Sequence, residues 1–144
     1  MAKRTIIVQE KSAVEFEAAA NAAITPGQLV ELLSTGKVQK QATAKADVER
    51  MVAIEDSLQG NDIADDYAVS ATVFMRVMGS GDVVNIILAD GETAVIGTKL
   101  EAALAGEVQA FTDGVKLFVA LEAIDASDSA ATPVVSRRIK VRVI

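Results

Sequence analysis

Hydrophobic and polar residues alternate most regularly between Tyr67 and Met78. One face of this stretch carries only apolar side chains, those of Val69, Ala71, Val73, Met75 and Val77. The opposite face carries Ser70, Thr72 and Arg76. Because successive side chains of a β-strand point to opposite sides of the sheet, this pattern predicts a strand with one buried face.

Shorter stretches of β-branched and apolar residues predict further strands, each ended by a turn or a polar loop. They lie at residues 4–9, 28–33, 37–40, 51–54 and 83–89, and again in the second half of the chain. The Ala-rich residues 13–23 instead favour a short helix. About ten short strands separated by turns are typical of a β-sandwich or a β-barrel, so we predict a compact all-β fold.

Two turn signals stand out between these strands. In Thr25-Pro26-Gly27, proline presets φ at one position and glycine accepts an unusual φ at the next. Asp90-Gly91 is a residue pair favoured in tight β-hairpins. The sequence therefore predicts a turn before residue 28 and a hairpin across residues 79–95.

The stretch Ile96–Ala110 is a near-copy of Thr25–Lys40. The alignment places Gly27 on Gly97 and Gly36 on Gly106. It also pairs Val30 with Leu100, Glu31 with Glu101, Val38 with Val108 and Gln39 with Gln109. An internal repeat governs the architecture of a chain, so we interpret these positions as matching corners of one β module. The predicted structural turns are Pro26, Gly27, Gly36, Gly97 and Gly106.

Two later matches follow in the same order, which supports an internal duplication. VAIE at residues 52–55 matches VALE at 119–122, and VFMRVM at 73–78 matches IKVRVI at 139–144. We therefore predict a single β domain over residues 24–144. Its pseudo-repeats span about 24–78 and 94–144, with the hairpin of residues 79–95 between them. Substitutions of Gly27 and Gly97 are then expected to cost similar stability.

Composition removes several classes of function. The chain has no Cys and no His, which excludes disulfides, zinc–thiolate sites, and both Ser–His–Asp and Cys–His catalysis. Its apolar runs are too short to span a membrane, and the N-terminus lacks the apolar core of a signal peptide.

The net charge is −6, yet basic residues gather at both ends. They are Lys3, Arg4 and Lys11 near the start, and Arg137, Arg138, Lys140 and Arg142 near the end. The acidic remainder argues against nucleic-acid binding. Basic ends suit self-association or docking on an acidic protein surface, or are simply solvated faces of terminal strands.

The remaining candidates for chemistry are weak. Glu55-Asp56 and Glu122 sit at equivalent strand ends and could form a carboxylate pair, but we interpret them as solvated loop ends. Asp62, Asp65 and Asp66 do not have the spacing of a calcium loop. We predict no catalytic residue, no cofactor and no metal.

Two further motifs do not fit binding sites. Gly79-Ser80-Gly81 precedes a predicted strand, whereas a phosphate loop precedes a helix. Tyr67, Phe74 and Phe111 are too few for a base-stacking platform, since aromatic residues make up only 3% of the chain.

The N-terminal residues 1–23 combine a β-branched stretch at residues 4–9 with a small-residue tether. This pattern predicts an extended arm that leaves the body of the domain. The alternative is an ordinary edge strand.

The order of these segments resembles that of the capsid decoration, or cement, proteins of tailed bacteriophages. The resembling segments are GQLVEL, GKVQK, MVAIEDS, GDVVNIILADGETAVIGTKLEAALAGEVQA, FVALEAIDAS and VVSRRIKVRVI, which cover most of residues 24–144. The resemblance implies a structural protein of the virion, made in the host cytoplasm and bound to the capsid exterior. It also implies a homo-oligomer, a trimer or sometimes a dimer, that bridges subunits of the major capsid protein and stiffens the shell.

The same resemblance implies how the arm is used. In such proteins an N-terminal arm adds a strand to a capsid sheet, which assigns capsid binding here to Arg4, Thr5, Ile6, Ile7, Val8 and Gln9. No nucleic acid, membrane or small-molecule substrate is implied. Two alternatives remain: another virion β module, such as a tail, head-fibre or receptor- or sugar-binding domain, and an enzyme or regulator on a duplicated β-barrel. A sugar binder would expose Trp or Tyr, but the chain has no Trp and one Tyr.

Overall fold

The computed structural model describes residues 3–11, 13–128 and 133–144. Within these ranges the regular structure consists of short β-strands and two 3₁₀ turns, at Ser57–Gln59 and Val134–Ser136. The prediction of a compact all-β fold is confirmed. The strands, in chain order, are β1 (Ile7–Gln9), β2 (Val14–Ala19), β3 (Val30–Leu32), β4 (Val38–Lys40), β5 (Met51–Ala53), β6 (Thr72–Val77), β7 (Val83–Ile87), β8 (Thr93–Ala94), β9 (Lys99–Ala102), β10 (Val108–Ala110), β11 (Phe118–Ala120), β12 (Ile124–Asp125) and β13 (Arg138–Val143).

Six strands form the largest sheet, in the order β1-β7-β13-β11-β9-β10, and every neighbouring pair is antiparallel. Strand β13 lies inside this sheet, where Val141 faces Val84 of β7 on one side and Ala120 of β11 on the other. The described strands at its two edges are β1 and β10.

The remaining strands form smaller antiparallel sheets. A three-stranded sheet has the order β2-β6-β5, and two-stranded sheets join β3 with β4 and β8 with β12. Single bridges tie these pieces together, such as Leu29 with Val52 and Leu88 with Val108.

The core consists of two clusters of buried apolar side chains. The larger one includes Ile86, Leu100 and Phe118, and the smaller one includes Val73 and Met75. The alternation predicted around Val73 and Met75 is therefore confirmed, although strand β6 begins only at Thr72. The backbone of Ser70 has a φ of 70°, which breaks an extended chain, and Val69 before it is exposed.

The two matching sequence stretches form hairpins with the same register. In the β3–β4 hairpin Glu31 faces Gln39, and in the β9–β10 hairpin Glu101 faces Gln109. The side-chain amide donates to the carboxylate in both, at 2.7 Å from Gln39 to Glu31 and at 2.8 Å from Gln109 to Glu101. The shared sequence pattern thus corresponds to a shared local structure.

The turns before the two hairpins also correspond. The N–H of Gly27 donates to the carbonyl of Ala53 at 2.9 Å, and the N–H of Gly97 donates to that of Ala120 at 2.9 Å. At the hairpin tips Gly36 faces open space, whereas Gly106 packs so closely on Leu29 that an added Cβ would lie 2.6 Å from the Leu29 carbonyl oxygen.

The correspondence continues into the sheets. Strand β5 pairs with β6 so that Ala53 faces Met75, and β11 pairs with β13 so that Ala120 faces Val141. Strand β2 pairs with β6 in the same relative register as β7 with β13. Strands β2 and β7 are therefore counterparts. The structural correspondence between the two halves begins at these strands, ahead of the pseudo-repeats predicted from residues 24 and 94.

Residues 13–23 do not form the short helix that their alanines favour. Val14–Ala19 is strand β2, which pairs with β6 along its whole length. Glu15 faces Arg76 across this pair, and their ion pair measures 2.9 Å. Pairing with β6 therefore outweighs the local helix propensity.

The hairpin predicted across residues 79–95 forms only in part. A tight turn exists, because the N–H of Glu92 donates to the carbonyl of Ala89. The flanking strands do not pair with each other, since β7 pairs with β1 and β13 while β8 pairs with β12. At Asp90-Gly91 the chain thus passes from one sheet to another.

Burying a charge on the inward face should unfold either half of the domain. Val73 and Val141 have no exposed surface, so Val73→Asp and Val141→Asp are each expected to lower the free energy of unfolding by about 3 kcal/mol or more. Thr72→Asp, on the exposed face of the same strand β6, is the control. Urea unfolding would contradict the face assignment if the Val73 or Val141 variant matched the parent.

The structure changes the expectation that Gly27 and Gly97 are equivalent. Both have positive φ, 98° and 92°, so Ala strains either by about 1 kcal/mol. A Cβ on Gly27 would also lie 3.3 Å from Arg138 Nε and Ile87 Cγ1, whereas Gly97 has no such neighbour within 4 Å. We expect Gly27→Ala to be the more destabilising in urea unfolding. Equal losses would show that the crowding at Gly27 relaxes freely.

Candidate binding surface at the sheet edges

The N-terminal segment, residues 3–11, lies along the outer edge of β7. Ile6 is fully buried, and its carbonyl accepts the N–H of Asn85 at 2.7 Å. The side chain of Asn85 donates to the carbonyl of Thr5 at 2.9 Å. Of the two expectations for this segment, an arm and an edge strand, the structure has the edge strand.

Two carboxylates hold this segment in place. Glu55 accepts the N–H of Ile6 at 3.0 Å, and Glu122 accepts the ammonium of Lys3. Glu122 also accepts the N–H of Lys140 in β13, at 2.8 Å. These residues, considered above as a possible catalytic pair, follow β5 and β11 at corresponding places and bind the N-terminal segment.

The ionised form of Glu122 is favoured by its partners. Burial would raise its pKa, but the hydrogen bonds from Lys3 and from the Lys140 N–H, together with both positive charges, hold the pKa below its usual value. The carboxylate is therefore negatively charged at neutral pH.

The segment presents a small outer face. Arg4, Thr5, Val8 and Gln9 are exposed, Ile7 is half-buried, and Ile6 belongs to the core. Among the residues predicted to bind a capsid, Ile6 therefore has no surface to offer. The others line an edge of the six-stranded sheet.

The basic C-terminal residues do not form one surface cluster, since only Lys140, which is half-buried, and Arg142, which is exposed, reach the surface. Arg137 and Arg138 are buried, and the Arg138 guanidinium donates to the carbonyls of Pro26, at 3.0 Å, and Ile63. Arg137 donates to the carbonyl of Leu88 and to Glu107. The interpretation as docking or solvated groups is therefore wrong for Arg137 and Arg138, because both are buried and donate to groups within the protein.

Aspartates of the 57–66 loop provide negative charge near the buried Arg138 guanidinium. Burial lowers the pKa of Arg138, while the negative charges of Asp66, Asp62 and Glu55 oppose that shift. Asp65 and Asp62 also accept backbone N–H groups within their own loop. Among the described residues, no three acidic side chains are grouped to hold a metal ion.

Glu101 has no exposed surface and accepts hydrogen bonds from Gln109 Nε2, Thr112 Oγ1 and the N–H of Gly114. Burial would raise its pKa, but these donors hold it below the usual value. The buried charge thus fixes the β9–β10 hairpin and the following loop.

The aromatic residues considered for stacking are engaged in the fold. The Tyr67 hydroxyl donates to the carbonyl of Ile54 at 2.6 Å, and burial raises its pKa to about 12. Phe74 packs on the larger core cluster, and the Lys116 ammonium lies 4.8 Å above the Phe111 ring.

A second edge carries exposed apolar side chains that the sequence did not single out. Val14 and Phe16 of β2 are 64% and 42% exposed, and Leu58 in the 3₁₀ turn after β5 is 82% exposed. Phe16 and Leu58 line an open groove together with Glu15, Glu17 and Phe74. Because a helix is predicted for residues 13–23, the sequence analysis does not predict this strand edge. The alternation of V-E-F-E at 14–17 is the signal that indicates it.

In the part of the chain that the structure describes, no helix is long and apolar enough to cross a membrane.

Comparison with solved structures finds this fold in a phage protein. It is similar to the crystal structure of the head fiber gp8.5 N base in bacteriophage phi29, with a TM-score of 0.60 at 11% sequence identity. The match covers 92% of this chain and 94% of that chain. The two chains share a fold. No protein-family model matches the sequence, and no curated protein is similar to it.

Acid should loosen the N-terminal segment. Because the pKa of Glu122 is lower in the folded than in the unfolded chain, its contribution to stability is present above its usual value near 4.5 and is lost as the pH falls through the lowered value. Hydrogen exchange at residues 5–9, corrected for intrinsic rates, should therefore accelerate at low pH. Glu122→Gln should loosen the segment at neutral pH and weaken this pH dependence.

The matched control for that measurement is Glu49→Gln, which neutralises an exposed carboxylate. It should leave exchange at residues 5–9 unchanged. Equal pH dependence in the parent and Glu122→Gln would refute the role of Glu122.

Proposed function

We propose that this chain is a structural protein of a bacteriophage virion, which attaches to the outside of the head as a compact base. The supporting observation is the likeness to the head-fiber base, which extends over 92% of this chain and 94% of that one. The likeness therefore concerns the whole domain rather than one motif.

The chemistry of the side chains is consistent with a structural role. Glu55, Glu122 and Glu101 hold backbone and side-chain donors, Tyr67 is a neutral core phenol, and Arg138 binds carbonyl groups. Each of these polar groups stabilises the fold.

The outer face of the N-terminal segment is the proposed contact with the major capsid protein. Arg4 supplies charge, Val8 supplies apolar surface, and β1 is an edge strand that can add to a neighbouring sheet. Copies assembled as a homo-oligomer, a trimer or a dimer, would bind a repeating head surface with an avidity that one weak contact lacks.

A second candidate is the decoration role, in which the protein bridges capsid subunits and stiffens the shell. It is favoured by exposed apolar side chains in several separate loops, including Ile96 at 72% and Leu104 at 63% exposed. Contacts in several places suit a protein that bridges neighbours.

Both candidates predict binding to heads through the same segment. Expanded, emptied heads of the phage that encodes this chain should co-sediment with the parent protein. Val8→Asp should weaken co-sedimentation by about tenfold or more, since it places a charge in an apolar contact. Its stability should be unchanged because Val8 is 48% exposed.

Leu32→Asp is the matched control, since it adds the same charge at an apolar residue of similar exposure, 49%, in strand β3 rather than in the N-terminal segment. Parent protein that fails to sediment with heads would overturn the proposed function. Binding that also raises the heat resistance of the heads supports the decoration role, and binding without that gain supports a fibre base.

A further inference from the structure

Strands β2 and β7 occupy corresponding places, but only one of them is covered. Glu17 of β2 faces Phe74 of β6, just as Asn85 of β7 faces Lys140 of β13. On the outer side of β7, strand β1 pairs with it, and the Asn85 N–H donates to the Ile6 carbonyl. All residues of β7 are also buried.

Among the described residues, the outer side of β2 pairs with no strand, and β4 contacts the chain only beyond the C-terminal end of β2, through the bridge between Ala20 and Val38. Residues 15–17 are exposed, in contrast to their buried counterparts at 83–85 in β7. The N–H of Ala20 donates to the carbonyl of Ala71 on the β6 side. Because bonding alternates along an antiparallel strand, the N–H and C=O groups of Glu15 and Glu17 point to the open side.

We propose that the open edge of β2 binds an extended strand of another protein, in which basic and apolar side chains alternate. An exposed row of N–H and C=O groups is a ready template for such a strand. The filled counterpart beside β7 shows that this fold accommodates a strand at that position.

The side chains along the edge define the chemistry of the partner. Phe16, Leu58 and Phe74 offer apolar surface in the groove, and Glu15 and Glu17 alternate with it. Arg76 forms an ion pair with Glu15 but not with Glu17. A shallow neighbouring depression adds Asp56 and Asp66 to the acidic surroundings of Glu17. The complementary strand therefore carries Lys or Arg.

The same charges disfavour a second copy of this chain. Two β2 strands paired antiparallel about Phe16 place Glu15 of one copy opposite Glu17 of the other, and like charges directly opposite are destabilising. The edge of β2 is a different surface from the outer face of the N-terminal segment. The proposal for β2 therefore does not depend on whether the protein attaches to a head.

Short synthetic peptides in which Lys or Glu alternates with Val test the proposal directly. The Lys peptide should bind the parent protein at least about tenfold more tightly than the Glu peptide, and added salt should weaken it. Fluorescence anisotropy gives the affinity, and amide NMR shifts should be largest at residues 14–19.

Three variants at one position separate backbone from charge. Glu17→Pro removes an outward N–H, which an edge strand tolerates, and should abolish binding of the Lys peptide. Glu17→Gln keeps the N–H and should retain most of it. Glu17→Lys should reduce the preference for the Lys peptide over the Glu peptide.

Urea unfolding checks that each variant is folded. If Glu17→Pro is unstable, the peptide preference of Glu17→Lys tests the proposal instead. Unchanged preference in Glu17→Lys, or full binding by a folded Glu17→Pro, would overturn the proposal. Self-association that Glu17→Pro abolishes would show that a second copy occupies the edge, and would overturn it as well.

Discussion

The fold depends on the register of two equivalent strand pairs, β5 with β6 and β11 with β13. In each pair, a small side chain meets a larger apolar one on the buried face, as with Ala53 opposite Met75 and Ala120 opposite Val141. A slip of one residue would move every side chain of a strand to the opposite face of its sheet, so turns outside the strands have to hold the register. The Gly27 and Gly97 turns do this, since each donates its N–H to the end of a strand in these pairs.

The two halves of the domain have corresponding core strands but differ at the outer edges of their sheets. Glu55 and Glu122 are counterparts, yet both bind the one N-terminal segment, which covers β7, whereas no described strand covers the outer side of β2. The two halves bury their cores with corresponding strands. Contact with another molecule, in contrast, requires backbone or side-chain groups that have no partner within the repeat. The unequal edges are therefore where binding is expected.

The sequence predicted those features that have a short-range signal. The alternation at Val73 and Met75 and the twin hairpins around Glu31 and Glu101 are local patterns that survive folding. The helix prediction for residues 13–23 is wrong because alanine favours helices locally, whereas the strand that pairs with these residues, β6, lies far along the chain. The sequence does not predict the burial of Arg137 and Arg138 for a similar reason. A charged residue is expected at the protein surface unless its carbonyl acceptors, which lie far away in the sequence, are known.

Strand β13 lies in the interior of the six-stranded sheet but comes after all other strands in the sequence. The sheet cannot therefore assemble in chain order: β1, β7, β9, β10 and β11 have no continuous arrangement until residues 138–143 insert between β7 and β11. Folding should be slow and all-or-none, with a transition state rich in distant contacts. Before that insertion, two sheet fragments would expose unpaired edges, the stage at which the chain is most prone to aggregate.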